Sequence, residues 1–153
     1  MKIAVGSDMK APLTNFIVEE LQKRGYEVGL YGAMVSTPAP WTKVAIEVAE
    51  KVASGEYNQA VLCCWTGTGI SLAANKVKGI RAALCGDAQT AAGARKWNDA
   101  NILCMSLRAT SEEIAREMLE AWFANEPSTE EEDIACLRYL EEWESKHLTS
   151  LTS

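Results

Sequence analysis

Short apolar runs of strand length alternate along the chain with longer segments whose apolar residues recur every three or four positions. Ile3, Ala4 and Val5 are consecutive within Lys2–Gly6 and read as a buried strand. Leu13, Phe16, Ile17 and Leu21 share one helical face, entered through Pro12 and closed by Gly25. Tyr26–Tyr31 reads as a second strand, and Gly32–Pro40 as a loop. Val44, Ala45, Val48, Ala49 and Val52 predict a helix over Thr42–Ala53 that Gly55 ends. Ala60–Cys64 is a third strand. It feeds Cys64-Trp65-Thr66-Gly67-Thr68-Gly69-Ile70-Ser71 and a helix through about Val77. Arg81–Cys85 is a fourth strand, and Asp87 is placed to cap an alanine-rich helix through Lys96. Asn101–Met105 is a fifth strand, and Thr110 with Glu113 predicts a capping box for a helix to Phe123. A last, acidic helix from about Thr129 to Lys146 carries Ile134, Leu137, Leu140 and Trp143 as one apolar stripe.

Strands alternating with helices imply a parallel sheet covered on both faces. The expected fold is α/β: a three-layer Rossmann-like sandwich on a five-stranded parallel sheet, with an extra C-terminal helix. Sites in such sheets lie beyond the C-terminal ends of the strands. That rule picks out Ser7–Asp8, the Gly32–Pro40 loop, Cys64–Gly69, Gly86–Asp87 and Ser106–Arg108. The 153 residues fit one domain. Within it, 125–153 reads as a helical tail whose stripe needs a surface, and a second copy of the chain, in a homodimer, would supply one.

Charge narrows the partners. With 15 Lys and Arg against 21 Asp and Glu, the net charge is −6, which argues against a nucleic-acid grip built on phosphate contacts. A small anion needs only local positive potential. No apolar run has the length of a membrane span. The opening MKIAVGSD goes directly into a strand, so the expectation is a cytoplasmic protein without a membrane partner. The five cysteines are odd in number, form no CxxC pair, and share the chain with a single histidine, His147. Neither a disulfide framework nor a Cys/His metal site is expected.

The stretch from Cys64 to Gly69 carries the most chemical information. Gly67 and Gly69 permit a tight path with several amides turned inward at the start of a helix. Such a cradle suits a phosphate, an oxyanion that develops during reaction, or a structural turn. Leu72 breaks the G-x-G-x-x-G fingerprint and the Walker pattern is absent, so no nucleotide cofactor is expected. Cys64 ends its strand at the mouth of the loop, where amides would stabilise a thiolate serving as base or nucleophile; the alternative is a buried apolar cysteine. Cys63 faces the other side. Asp8 is either a group that binds sugar hydroxyls and shuttles a proton, or a helix cap. Asn98 could donate to an oxyanion. Arg108 is the best placed cation, with Arg81, Arg95 and Lys96 behind it. Trp41, Trp65 and Trp97 could wall a pocket, while core packing accounts for Trp122 and Trp143.

These residues resemble the type B ribose-5-phosphate isomerase family, which includes the galactose-6-phosphate isomerase subunits. The matching stretches are Ile3–Asp8, Ala53–Glu56, Gly67–Lys76, Gly79–Ala82 and Asn98–Asn101, within about residues 1 to 124. The resemblance implies a Rossmann-like homodimer, with sites shared across its interface, that interconverts aldose and ketose phosphates without a metal or cofactor. It implies Cys64 as the base that moves a proton between C1 and C2, and the Trp65–Gly69 backbone, with Thr68 in the same loop, as the seat of the enediolate oxygen. It further implies Thr66 and Asp8 near the ring oxygen, Asn98 at the enediolate, and Arg108 framing the site; Ser7 and Trp97 are carried as substrate contacts. The chain departs from the family pattern at Met9 and Trp97, where histidines are usual, at Pro38-Ala39-Pro40, and at Glu131 and Ala135, where phosphate-holding arginines are usual. The expected reaction is ribose 5-phosphate to ribulose 5-phosphate. The alternatives are a tetrose or tetrulose phosphate or a modified sugar, and a non-catalytic sugar-phosphate-binding protein.

Overall fold

A computed structural model describes residues 1–148. Its elements follow the alternation of the sequence: β1 (Lys2–Ser7), α1 (Pro12–Lys23), β2 (Glu27–Gly32), α2 (Trp41–Ala53), β3 (Gln59–Cys64), α3 (Thr68–Ala74), β4 (Ala82–Leu84), α4 (Ala88–Asn98), β5 (Ile102–Ser106), α5 (Glu112–Phe123) and α6 (Glu131–His147). The strands form one parallel sheet in the order β2-β1-β3-β5-β4.

Two apolar layers flank the sheet. One joins Ile3, Val5, Val61, Cys63, Leu103 and Met105 to α1, α4 and α5, around a fully buried Trp122. The other joins Ala4, Leu62, Cys64 and Cys104 to α2 and α3. The two-residue period of a strand divides each apolar run between them, which puts Cys63 and Cys64 on opposite faces. Each large side chain so buried contributes roughly 1.5–3 kcal/mol. Trp122 keeps its indole N–H satisfied by donating to Gln59 Oε1 at 2.9 Å.

Several local signals act as read and others do not. Asp87 caps α4 by accepting from Thr90 N at 2.7 Å. The expected Thr110–Glu113 box does not form. Ser111 is the cap, accepting from Ile114 N at 3.1 Å, and Glu113 is held by Arg116 at 2.7 Å. Helix α3 stops at Ala74, short of Val77, because Asn75 turns its amide to the open edge of β4. Its Nδ2 donates to Ala82 O and its Oδ1 accepts from Ala82 N, both at 2.8 Å. One side chain thus stands in for a neighbouring strand.

Helix α6 buries none of its residues. Leu137 and Leu140 overhang a groove of about 460 Å³ with Ile80, Ala82, Trp97 and Ala100 across from them. Glu144 Oε2 accepts from Gly79 N at 3.3 Å. Trp143, expected in the core, is 45% exposed and stacks on His147 at 4.4 Å. No helix among the described residues is long and apolar enough to cross a membrane.

Candidate active site

The chain reverses direction across the sheet between β1 and β3, since β2 lies to one side and β3 to the other. Crevices at such reversals are the natural sites of parallel α/β sheets. Asp8 follows β1 there, and Cys64 ends β3, paired with Ser106 at the end of β5. Three of the sequence's five chosen loops therefore converge by register alone.

Ser7 is fully buried and shapes the turn that carries Asp8. Its Oγ donates to Met9 O at 2.8 Å and accepts from Met9 N at 3.3 Å. Asp8 Oδ1 is buried with no hydrogen-bond partner among the described residues. Burial pushes the Asp8 carboxyl above its ordinary value of 3.8, offset in part by its own backbone N–H. An orphaned carboxylate oxygen is costly unless a ligand completes it.

Cys64 is 5% exposed, beside Leu62 and Ile70 on the α2/α3 side. The loop after it is anchored through its carbonyls. Leu107 N donates to Cys64 O at 2.9 Å, Arg108 N to Trp65 O at 3.1 Å, and Ser106 Oγ to Trp65 O at 2.9 Å. Gly67 takes the left-handed conformation, φ +78°. No acceptor among the described residues takes the N–H of Thr66, Gly67, Thr68 or Gly69. The loop thus spends its carbonyls on β5 and leaves its donors free, as an oxyanion seat requires. Thr66 and Thr68 share a hydroxyl contact of 2.8 Å. Trp65 is exposed.

Beyond β4 and β5, Thr66, Gly86, Ser106, Arg108 and Thr110 line an open cavity of about 540 Å³. Arg108 is exposed and makes no ion pair among the described residues. Arg81 and Arg95 are otherwise engaged. Both grip Asp99, at 3.3 and 3.5 Å. Asp99 is itself left-handed, φ 45°, at the end of α4.

Two predicted site residues lie elsewhere in the protomer. Asn98 ends α4 and precedes β5, so it sits at the N-terminal edge of the sheet, roughly 13 Å along β5 from the Cys64 level. Trp97 lies beside it, 60% exposed and folded onto Gly93 of its own helix. The only histidine, His147, brings its Nδ1 to 2.9 Å from Trp143 O on α6. Trp41 is the residue that sequence reasoning left among several candidates. Its ring lies against Gly69, and the signal was a tryptophan directly after the proline that ends the Gly32–Pro40 loop.

The loop after Cys64, with its free N–H donors, and the nearby Arg108 offer what a small anion needs at the reversal point of a parallel sheet; the class of protein, a sugar-phosphate isomerase, comes from the chain's relatives. The chain belongs to the Ribose/Galactose Isomerase family, whose sequence profile matches residues 3–136. It is 37% identical over 124 residues to D-erythrulose-4-phosphate isomerase of Pectobacterium atrosepticum, covering 80% of this chain and 82% of that one. It is 40% identical over 122 residues to ribose-5-phosphate isomerase B of Escherichia coli, covering 79% and 82%. The structure of ribose-5-phosphate isomerase B from Clostridium thermocellum superposes with a TM-score of 0.89 at 37% identity, over 96% of this chain and 99% of that one.

Proposed function

We propose that the chain interconverts an aldose phosphate and a ketose phosphate with Cys64 as the base, and that its substrate is a four-carbon sugar 4-phosphate. The observation that carries the reaction is the loop directly following Cys64, whose N–H groups find no acceptor among the described residues. The Cys64 thiolate takes the proton from C2 of the aldose. The freed electron pair forms the C1–C2 double bond, and negative charge gathers on O1, where the loop N–H groups hold it. O1 gains a proton as O2 loses one, and Cys64 returns its proton to C1. Asp8 is the group placed to handle the hydroxyl protons. The phosphate lies in the Arg108 cavity, where Thr66, Ser106 and Thr110 add hydroxyls.

What supports the shorter substrate is where the histidine lies. A furanose must be opened by a group that protonates its ring oxygen, and the one histidine of the chain is bound up on α6. A tetrose 4-phosphate has no free C4 hydroxyl and cannot close a five-membered ring. It therefore presents its carbonyl without assistance. The second reading is ribose 5-phosphate, and the unpartnered Asp8 oxygen is what favours it, as an acid for ring opening. Turnover of erythrulose 4-phosphate and of ribose 5-phosphate separates the two. The four-carbon reading expects the larger kcat/KM for the tetrulose by at least about tenfold. An equal or larger value for the pentose overturns it, and saturable binding without turnover of either replaces it with a binding role.

Asn98 reaches a Cys64 site only from a second subunit, so this reading includes a homodimer with shared sites. An equimolar mixture of Cys64→Ala and Asn98→Ala protomers, each inactive alone, is expected after random re-pairing to recover up to about a quarter of the wild-type sites, because half the dimers are mixed and each of those carries one intact site. No recovery would remove Asn98 from the site.

A further inference from the structure

The loop that follows Cys64 is wedged from two sides, and only one side belongs to the sheet. On the sheet side, Gly67 fits so closely that a Cβ there would stand 2.5 Å from Leu84 Cδ1 and 3.1 Å from the backbone of Met105 and Ser106. On the other side lies Trp41, the first residue of α2. A Cβ on Gly69 would stand 3.1 Å from Trp41 Cδ2 and Cε3 and 3.3 Å from Cζ3. The six-membered part of the indole therefore rests directly on the Gly69 backbone. Gly69 has no side chain with which to fix itself, so its position depends on what presses on it.

Trp41 is an odd residue to find there for reasons of stability. It is 40% exposed and belongs to neither apolar layer. It offers a large rigid face with only two side-chain torsions to freeze. Pro40 immediately before it, φ −56°, fixes the direction from which α2 starts.

We propose that Trp41 is a positioning residue of the isomerisation: by pressing on Gly69 it holds the N–H groups of the Thr66–Gly69 segment at the place where the enediolate oxygen gathers charge. This rests on the proposed role of that segment. Donors of this kind act only within a few tenths of an ångström of the right place, and their displacement is felt in the transition state more than in the bound substrate. Trp41 touches no reacting atom; it acts through Gly69.

The test compares wild type with Trp41→Phe, Trp41→Leu and Trp41→Ala, using whichever sugar phosphate the wild type turns over. Four quantities are read: kcat, KM, inhibition by the hydroxamate analogue of the enediolate, and inhibition by the corresponding sugar-alcohol phosphate. Removing the indole is expected to lower kcat by roughly 30-fold or more while KM moves less than about threefold. Hydroxamate affinity should fall in step with kcat, and sugar-alcohol affinity should hold. Phe, which keeps an aromatic face, should recover most of the loss. Unchanged kcat in the Ala variant overturns the proposal. So does a parallel fall of kcat and of both inhibitor affinities, which marks a generally disordered site. If the Ala variant does not fold, the Leu variant decides between the same outcomes through the same four quantities. A wild type without turnover would sink the proposed function instead, so the two failures are distinguishable.

Discussion

Replacing Gly67 by alanine tests whether the loop beside Cys64 is built as described. Two effects add. The residue sits at φ +78°, where a side chain is disfavoured by about 1–2 kcal/mol. The new methyl would also stand 2.5 Å from Leu84 Cδ1 and 3.1 Å from two backbone atoms of β5. Leu84 is partly exposed and can swing away, but the β5 backbone at Met105 and Ser106 is held in its ladder with β3 and cannot. Overpacking of this kind costs about 1–3 kcal/mol, or the loop moves outward to avoid it. A combined loss of about 2–5 kcal/mol corresponds to a fall in Tm on the order of 10 °C for a chain of this size. Outward movement carries the loop N–H groups off their target, so kcat should fall by about 100-fold or more even where the protein remains folded. Gly55→Ala supplies the comparison. Gly55 is also left-handed, φ +85°, but nothing lies within 4 Å of its missing Cβ. It should lose only the conformational cost of about 1–2 kcal/mol and keep full activity. Thermal denaturation and initial-rate kinetics on both variants decide the matter. If Gly67→Ala behaves like Gly55→Ala in both, the tight fit of the loop on β5 plays no part in catalysis.

Three further outcomes follow from the same geometry. Because burial raises the Asp8 carboxyl, the folded chain holds that proton more tightly than the unfolded chain. Its contribution to stability is full below about pH 3.8 and is lost as pH rises through the higher native value. Urea midpoints of wild type should therefore fall relative to Asp8→Asn across that rise, and parallel curves would contradict the assignment. Burial pushes the Cys63 thiol up to about 12 and Cys85 to about 11, and holds Cys104 well above 9.0. Iodoacetamide near pH 8 should spare those three while alkylating the exposed Cys136, and mass spectrometry would show any breach. Arg108→Ala removes a charge-assisted contact, so KM for a sugar phosphate should rise about 10- to 100-fold with a smaller change in kcat; an unchanged KM places the phosphate elsewhere.

The two-residue and three-to-four-residue periods were enough to read five strands, their helices, and the division of Cys63 and Cys64 between faces, because burial on a parallel sheet leaves a continuous apolar signal. The C-terminal-end rule brought Asp8, Cys64 and Arg108 to one end of the sheet. The same rule, applied to Asn98, puts it at the other end, since a residue just before a strand starts where that strand begins. The order of the last two strands was not legible, because β4 is short and nothing in its sequence marks it as an edge. The role of Asn75 left no mark in the sequence because its amide bonds to a strand seven residues further along. Thr110 and Ser111 are equally good caps by type, and only the chain path at the end of β5 chooses between them. Trp143 was misread because its three-residue spacing from Ile134, Leu137 and Leu140 matches an apolar stripe, while none of the residues of α6 is buried among the described residues. Packing of Trp41 on Gly69 joins residues far apart in sequence and left no periodic trace.

The central claim is that the sulfur of Cys64 carries a substrate proton. The direct measurement is deuterium incorporation at the migrating carbon in D₂O, followed by NMR on erythrulose 4-phosphate and ribose 5-phosphate with wild type, Cys64→Ser and Cys64→Ala. Wild type is expected to wash deuterium into at least one of the two substrates. Both variants should lose that exchange by several orders of magnitude while still binding the sugar phosphate and melting near the wild-type temperature. Exchange that persists in Cys64→Ala at the wild-type rate would contradict the account.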